Sequence, residues 1–391
     1  MRGSRWVTFA CYCVMTHILG MHYFNIYPNI KSLGKIIDDF TNDMFQYIYP
    51  ILYTILGPIC YSMIWRSFYW SNCLGWLSIT TSIWLKFFDI KDNISGIIGH
   101  IILIACSSLI IPGTGALAVK YFKPTEYFFV LVFSSLSHLT GIVSGKIINS
   151  YADLTTVFIV QGIVSILCSM IFVVFSEPDT LVGKDEYLGF FQSLKVLLKD
   201  QDRGILFFTI SAEVGLIYCS AVDSYTLANS LFFENQEIVF IHMGLFCAMG
   251  VIGGLLIMFI VKQSVNFGVF IRLYMAIPFL MIFLLNFVFK GPFFYSCLCI
   301  ITGLTVLPNI GFMQIIGLSM HKKIIQPISI NLSYYFASFF MVSFRIIGAT
   351  LQAHGIYATM GYNIIQLLIL VCFLSVYEHG IESRFLTKTK Y

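Results

Sequence analysis

The chain has 391 residues, of which 58% are hydrophobic and 11% charged, and its formal net charge is +4. Soluble domains carry about 25% charged residues, so this composition excludes an ordinary soluble domain and indicates a protein that crosses a membrane several times. The small net charge gives no indication of nucleic-acid binding, and the eleven cysteines form no pattern typical of disulfides or a metal site.

The first predicted element is a membrane helix rather than a signal peptide. Arg2 and Arg5 precede an apolar run that is long and has no small-residue cleavage site. A spanning helix needs about 20 mostly apolar residues. Twelve segments meet this condition, in chain order: Trp6–Ile26, Asp43–Trp65, Phe68–Phe88, Ile97–Tyr121, Glu126–Ile148, Leu154–Phe175, Ile205–Leu227, Ile238–Val261, Phe267–Phe289, Pro292–Met320, Pro327–Thr350 and Gly361–Val376.

The longest polar connection runs from Ser176 to Arg203 and divides the segments into two groups of six. We therefore predict an all-α membrane protein with twelve transmembrane helices in two six-helix bundles, the layout of the major facilitator superfamily. The predicted domains are residues 1–175, a cytoplasmic linker at 176–203 and residues 204–391. Within the linker, residues 187–202 read as either a short amphipathic helix on the inner membrane surface or a solvated connection.

Orientation follows from the lysines and arginines in the loops. With the N-terminus inside, sixteen of these residues lie on the cytoplasmic side and six on the outer side. Both termini are therefore predicted to be cytoplasmic. Asn93 begins a glycosylation sequon in a predicted outer loop, which agrees with this orientation.

Acidic residues occur in the seventh segment, which contains Glu213, Tyr218 and Asp223. A rise of about 1.5 Å per residue places Glu213 roughly 12 Å into the membrane and Asp223 near its outer boundary. A charge at bilayer depth costs roughly 2.5–3.5 kcal/mol. Glu213 is therefore predicted to face a cavity or a partner, either as a substrate or proton site or in a structural hydrogen bond.

Other polar residues lie inside predicted helices. His138, near the middle of the fifth segment, is either a ligand-binding or proton-relaying group or a packed structural histidine. Gln314 in the tenth segment is a candidate buried amide, and Tyr23 lies near the outer end of the first. In the fourth segment, Pro112 and Gly113 predict a break that frees backbone carbonyls.

Enzyme motifs are absent from the sequence, which contains no P-loop, no H-E-x-x-H and no G-x-S-x-G. Neither catalysis, a cofactor nor a metal site is predicted. The expected partners are a small-molecule substrate and the lipid bilayer, with no nucleic acid, and a monomer is expected.

Several stretches, in order along most of the chain, resemble the feline leukaemia virus subgroup C receptor-related family, a branch of the major facilitator superfamily. Residues 118–126 are similar to a family pattern close to A-x-x-W-F-G-P-x-E. Trp84-Leu85-Lys86 resembles a W-V-K at the end of the third span, and residues 192–199 resemble the inner-loop helix. Glu213 to Val222 is similar to N-V-G-x-F-Y-x-x-S.

The resemblance implies transport of choline and ethanolamine, and haem export has also been attributed to the family. It implies an aromatic cage in which cation–π attraction holds an amine. Tyr218 matches the cage tyrosine, and His138 stands where the family has a glutamine. Gly20 aligns with the cage tryptophan, so the cage lacks one wall unless Tyr23 or Phe24 supplies it. Glu213 replaces an asparagine and adds a negative charge.

A facilitator-type transporter of a small organic cation is the leading hypothesis. One alternative is a transporter of haem or another metabolite, in which Glu213 and His138 couple transport to protons. Another is a receptor or scaffold that does not transport, because the loop after the second span lacks the charge pattern usual in the superfamily.

Overall fold

The computed structural model describes residues 4–22, 39–88, 94–176, 189–199, 201–231, 236–262, 277, 292–320, 326–353, 365, 367–369 and 371–372. Within these ranges the chain is helical and contains no strand. The α-helices are α1 (Ser4–Met21), α2 (Asp39–Arg66), α3 (Phe68–Phe88), α4 (Ile94–Ile110), α5 (Thr114–Tyr121), α6 (Tyr127–Tyr151), α7 (Leu154–Phe175), α8 (Phe190–Leu198), α9 (Gln201–Leu231), α10 (Gln236–Lys262), α11 (Pro292–Met320) and α12 (Gln326–Ala353).

Ten of the twelve predicted spans coincide with these helices, the fourth being α4 and α5 together. The ninth and twelfth lie almost entirely outside the described residues. By length and composition, six helical stretches of the described part are apolar enough to cross a membrane: Ser95–Tyr121, Tyr127–Gly145, Leu154–Phe175, Glu237–Phe259, Phe293–Gly311 and Ile330–Leu351.

The chain divides into two compact units. The first contains Met1–Val130 and Ser137–Gln192, and the second contains Leu131–Leu136 and Ser193–Tyr391. Helix α6 therefore contributes its short stretch Leu131–Leu136 to the second unit.

In the first unit, helix α1 packs closely against α6 through glycines. A Cβ atom on Gly20 would overlap the backbone carbonyl of His138 and lie 2.9 Å from the nitrogen of Ile142. Likewise, a Cβ atom on Gly141 would overlap the carbonyl of His17, and one on Gly145 the carbonyl of Met21. Small residues allow helix backbones to approach this closely, as is common in membrane bundles.

The predicted break in the fourth span is present as a single 3₁₀ turn, Ile111–Gly113, between α4 and α5. Pro112 has no N–H, and the N–H of Thr114 bonds the carbonyl of Ile111. The carbonyl of Ile110 accepts a hydrogen bond from the Tyr12 hydroxyl of α1, which also lies 3.1 Å from the Thr114 hydroxyl. A side chain of another helix thus satisfies the backbone group that the break frees.

Part of the predicted linker, Phe190–Leu198, forms the short helix α8. Its Ser193 and Leu197 are buried, whereas Phe191, Lys195 and Leu198 are exposed. Its position on the inner membrane surface stays a prediction.

In the second unit, glycines again mark the closest helix contacts. A Cβ atom on Gly215 of α9 would lie 2.6 Å from the carbonyl oxygen of Ala337 in α12. A Cβ atom on Gly253 of α10 would overlap the carbonyl of Leu304 in α11. Helix α9, which carries the predicted acidic site, is therefore held tightly against α12.

Candidate functional site

Glu213 lies in the interior of the second unit, with only 2% of its surface exposed. Asn309 of α11 donates a hydrogen bond from its Nδ2 to the Glu213 carboxylate, with a nitrogen–oxygen distance of 2.7 Å. An isolated carboxylate is very costly in an apolar interior, and donors of this kind make its burial tolerable. Asn309 is thus a partner of Glu213 that the sequence reading missed.

Gln314, the predicted buried amide, belongs to a second polar group of the same unit. Its Nε2 donates to the hydroxyl of Tyr334 in α12 and lies 3.5 Å from the hydroxyl of Ser135. The hydroxyls of Ser135 and Tyr334 are 2.9 Å apart. The three side chains are all buried, so they form a continuous hydrogen-bonded cluster.

Asn331 is a further buried amide that the sequence reading did not select as a site. It is 0% exposed, and neither its Nδ2 nor its Oδ1 has a hydrogen-bond partner in the described structure. The Oδ1 atom of Asn309 and the Oε1 atom of Gln314 are buried without a partner as well. The signal that could have found both asparagines is simply an amide inside a predicted span.

These side chains make the interior of the second unit rich in hydrogen-bond acceptors. It contains one carboxylate, Glu213, and three amide oxygens that receive no hydrogen bond from the described residues, those of Asn309, Gln314 and Asn331. Buried acceptors of this kind suit a bound group that brings N–H or O–H donors, and the carboxylate favours a positive charge. No group of three histidine, cysteine, aspartate or glutamate side chains in the described ranges could hold a metal ion.

Tyr218, the predicted cage tyrosine, is also buried, in α9. Five helical residues correspond to a rotation of about 140° from Glu213, so the two side chains leave the helix in different directions. Next to Tyr218, the thiol of Cys219 lies 3.5 Å from the carbonyl of Met341 in α12. The side chain of Asp223 lies outside the described part.

His138 is buried in the first unit, where its carbonyl abuts Gly20. The resemblance aligns Gly20 with a cage tryptophan, but the backbone of α6 occupies the space that any larger side chain there would need. Tyr23 and Phe24, the predicted substitutes for this wall, lie outside the described residues. The structure thus leaves no room for an aromatic side chain at position 20, where the resemblance implies one wall of the cage.

His17, one turn before Gly20, has a structural role. Its Nδ1 lies 3.1 Å from the carbonyl of Ser137 and 3.2 Å from the hydroxyl of Thr140. Its Nε2 lies 3.1 Å from the hydroxyl of Ser144. Both ring nitrogens are engaged, which ties α1 to α6.

Solved structures resemble this fold over nearly the whole chain. One is a major facilitator superfamily transporter, FucP, in an outward conformation, with a TM-score of 0.71 and 11% sequence identity. The alignment covers 96% of this chain and 99% of FucP. A variant of the E. coli fucose:proton symporter FucP matches with a TM-score of 0.70 and 12% sequence identity. The alignment covers 97% of this chain and all of that variant. The human organic anion transporter MFSD10 matches with a TM-score of 0.69 and 9% sequence identity. The alignment covers 94% of this chain and 98% of MFSD10.

No family model matches the sequence, and no curated protein is significantly similar to it. At identities of 9–12%, the structural likeness establishes the fold alone. The predicted fold class, an all-helical membrane protein of the major facilitator superfamily type, is confirmed.

Proposed function

We propose that this chain, which shares its fold with major facilitator superfamily transporters, is a secondary transporter that moves a small organic solute by alternating access. The observation that carries the proposal is the buried carboxylate of Glu213, held by Asn309 inside a bundle of this fold. Ionisable groups at membrane depth are costly, and in transport proteins they line substrate and ion pathways. We keep the predicted orientation, with both termini in the cytoplasm, as part of the proposal.

The proposed substrate is a small organic cation of the choline or ethanolamine type. Glu213 supplies the opposite charge, and the unpaired amide oxygens of Asn309, Gln314 and Asn331 can accept hydrogen bonds from an ammonium or a hydroxyl. The resemblance of residues 213–222 to the feline leukaemia virus subgroup C receptor-related family supports the same class. Because Gly20 has no room for an aromatic side chain, charge attraction rather than a complete aromatic cage would hold the cation.

The test is uptake of radiolabelled ethanolamine and choline by purified protein in proteoliposomes. We expect Glu213→Gln to abolish uptake of the cation while the melting temperature stays close to that of the wild type. The substituted amide still offers an oxygen to the Asn309 donor, so the hydrogen bond survives while the charge is lost. Glu237→Gln, at an exposed glutamate in the first turn of α10, is the matched control and should leave uptake unchanged.

Normal uptake by the Glu213→Gln variant would refute the site. Absence of uptake by the wild type would refute the cation as substrate. The assay then turns to haem and common metabolites.

A second candidate is transport of another metabolite, coupled to protons. A buried carboxylate that can gain or lose a proton favours it, and Glu213 and His138 are the residues that would take part. Uptake of a metabolite other than choline or ethanolamine that follows an imposed pH gradient and is lost in Glu213→Gln would support this function. A receptor or scaffold, in contrast, would give no substrate-dependent flux with any of these compounds.

A further inference from the structure

Three basic side chains are buried together in the first unit. Lys86 near the end of α3 is 3% exposed, His100 of α4 is 3% exposed, and His22, just after α1, is fully buried. The Nζ atom of Lys86 lies 3.3 Å from the Nδ1 atom of His100. The ring of His22 stacks on Phe158 of α7, with the ring centres 5.9 Å apart. We call Lys86, His100 and His22 the basic cluster.

No acid among the described side chains forms an ion pair with Lys86. The titratable groups that face Lys86 are His100 from α4 and His22 from α1, and like charges on the three would repel one another. Helix α7, which packs on α3, contains no acid, lysine, arginine or histidine. Helix α2 also packs on α3, and its two acids, Asp39 and Asp43, have side chains outside the described part.

Ion pairing elsewhere in the described structure does not involve Lys86. The salt bridge that the described residues contain joins Arg5 to Glu126. Burying an unpaired ammonium costs several kcal/mol. The hydrogen bond of Lys86 with His100 therefore offsets part of this cost.

Helix α7 places a buried amide against Met21, the residue before His22. Gln161 is buried, its Nε2 contacts the sulfur of Met21 at 3.6 Å, and Met21 directly precedes His22. Its Oε1 receives no hydrogen bond from the described residues.

We propose that the basic cluster is a proton-binding site. Lys86 and His100 share one exchangeable proton: when it is bound, the ammonium donates to the lone pair of the His100 Nδ1. When it leaves, a neutral amine and a neutral imidazole remain hydrogen-bonded. Lysine and histidine are the side chains that change protonation most readily in such sites, and chains of ionisable residues carry protons through membrane proteins.

The role of this site rests on the proposed transport function. In a transporter, the proton on the basic cluster would be the coupling ion, taken up from one side and released on the other. The site differs from Glu213, which lies in the second unit, so proton binding and substrate binding can be tested with separate variants.

Proton binding itself is tested without any transported substrate. Melting temperatures of purified wild-type protein, Lys86→Gln and Lys123→Gln are measured from about pH 5.5 to about pH 9.5. If folding is linked to protonation of Lys86, the difference in melting temperature between the wild type and Lys86→Gln changes with pH. Lys123 is exposed, so its variant should follow the wild-type curve in parallel.

A constant difference across this range would overturn the proposal. Should Lys86→Gln fail to fold, His100→Gln takes its place. This substitution keeps an acceptor for the lysine but removes the titrating ring, and the same two outcomes apply to it.

The coupling role is tested by uptake of radiolabelled ethanolamine into proteoliposomes with and without a pH gradient. We expect the gradient to raise wild-type uptake several-fold and to have no effect on uptake by Lys86→Gln. Equal stimulation of both proteins would overturn coupling through the basic cluster. If the wild type takes up neither ethanolamine nor choline, the proposed substrate fails, whereas the melting curves still decide whether the cluster binds a proton.

Discussion

Asn309 holds the carboxylate of Glu213 with a 2.7 Å hydrogen bond that joins α9 to α11. Both side chains are buried, so the donor stands in for the water that a carboxylate would otherwise bind. The other end of the Asn309 amide, its Oδ1, has no partner in the described structure. The asparagine thus stabilises the acid on one side and offers an acceptor on the other.

This relationship predicts strong energetic coupling between the two residues. Asn309→Leu should lower the stability of the protein more than the double variant Asn309→Leu, Glu213→Leu, because it leaves a buried carboxylate without this donor. Hydrogen bonds to charged groups contribute about 1.5–3 kcal/mol, and we expect a coupling energy of that order in a double-mutant cycle. Unfolding of the four proteins in detergent measures it, and simple additivity would contradict the prediction.

The contact between α1 and α6 predicts that Gly20→Ala destabilises the first unit. The added methyl would meet backbone atoms of His138 and Ile142, which cannot move aside as a flexible side chain can. Overpacking of this kind costs about 1–3 kcal/mol.

Gly244→Ala in α10 is the matched control, because a Cβ atom there meets nothing within 4 Å. Alanine favours a helix over glycine by about 0.8–1 kcal/mol, so this control should be neutral or stabilising. Equal melting temperatures for the two alanine variants would contradict the packing argument.

The break between α4 and α5 predicts a penalty for Tyr12→Phe that depends on Pro112. Removing the hydroxyl leaves the buried carbonyl of Ile110 without this donor, at a cost of about 1–3 kcal/mol. In a Pro112→Ala background, the helix can continue and the N–H of Thr114 can return to the Ile110 carbonyl. The penalty for Tyr12→Phe should therefore shrink in that background, and an identical loss of melting temperature in both backgrounds would refute the link.

The N-terminus of α7 gives a prediction about pH. The backbone N–H of Thr156 bonds the carboxylate of Asp153 and lowers the pKa of this acid below its usual 3.8. A carboxyl group with a lowered pKa contributes stability above its unfolded-state pKa, and this contribution is lost as pH falls through the folded-state value.

Asp153→Asn keeps an oxygen that can accept the Thr156 hydrogen bond but cannot be protonated in this range. We expect the melting temperature of the wild type to fall further than that of Asp153→Asn between about pH 6 and pH 3. Parallel curves would indicate that the aspartate does not contribute to the acid sensitivity.

The helices and the break could be predicted from the sequence because each depends on residues that are neighbours along the chain. Length and hydrophobicity identify a spanning segment, and a proline removes a helix hydrogen bond wherever it stands. The predicted break at Pro112 is accordingly present, and it takes the form of a single 3₁₀ turn. Position within a predicted span likewise marked Glu213 and Gln314 as candidate buried residues, and both side chains are buried.

Hydrogen bonds between different helices could not be predicted from the sequence, because they depend on how segments distant in the chain rotate and pack. Nothing local to Asn309 indicates that it bonds Glu213, and nothing near Tyr12 indicates the carbonyl of Ile110. A single amide also changes the hydropathy of a long apolar segment very little, and so the sequence did not indicate Asn331 as a site residue although its side chain is buried.

Helix α1 is attached to the rest of its unit at three levels along its length. Arg5 pairs with Glu126 at 2.8 Å near its start, Tyr12 bonds the break at its middle, and Gly20 abuts the α6 backbone near its end. Because the three contacts are spread along α1, sliding or rotation of this helix alone would break at least one of them. We therefore expect α1, the break and α6 to move together as one rigid body in any large conformational change, with the bending elsewhere in the chain.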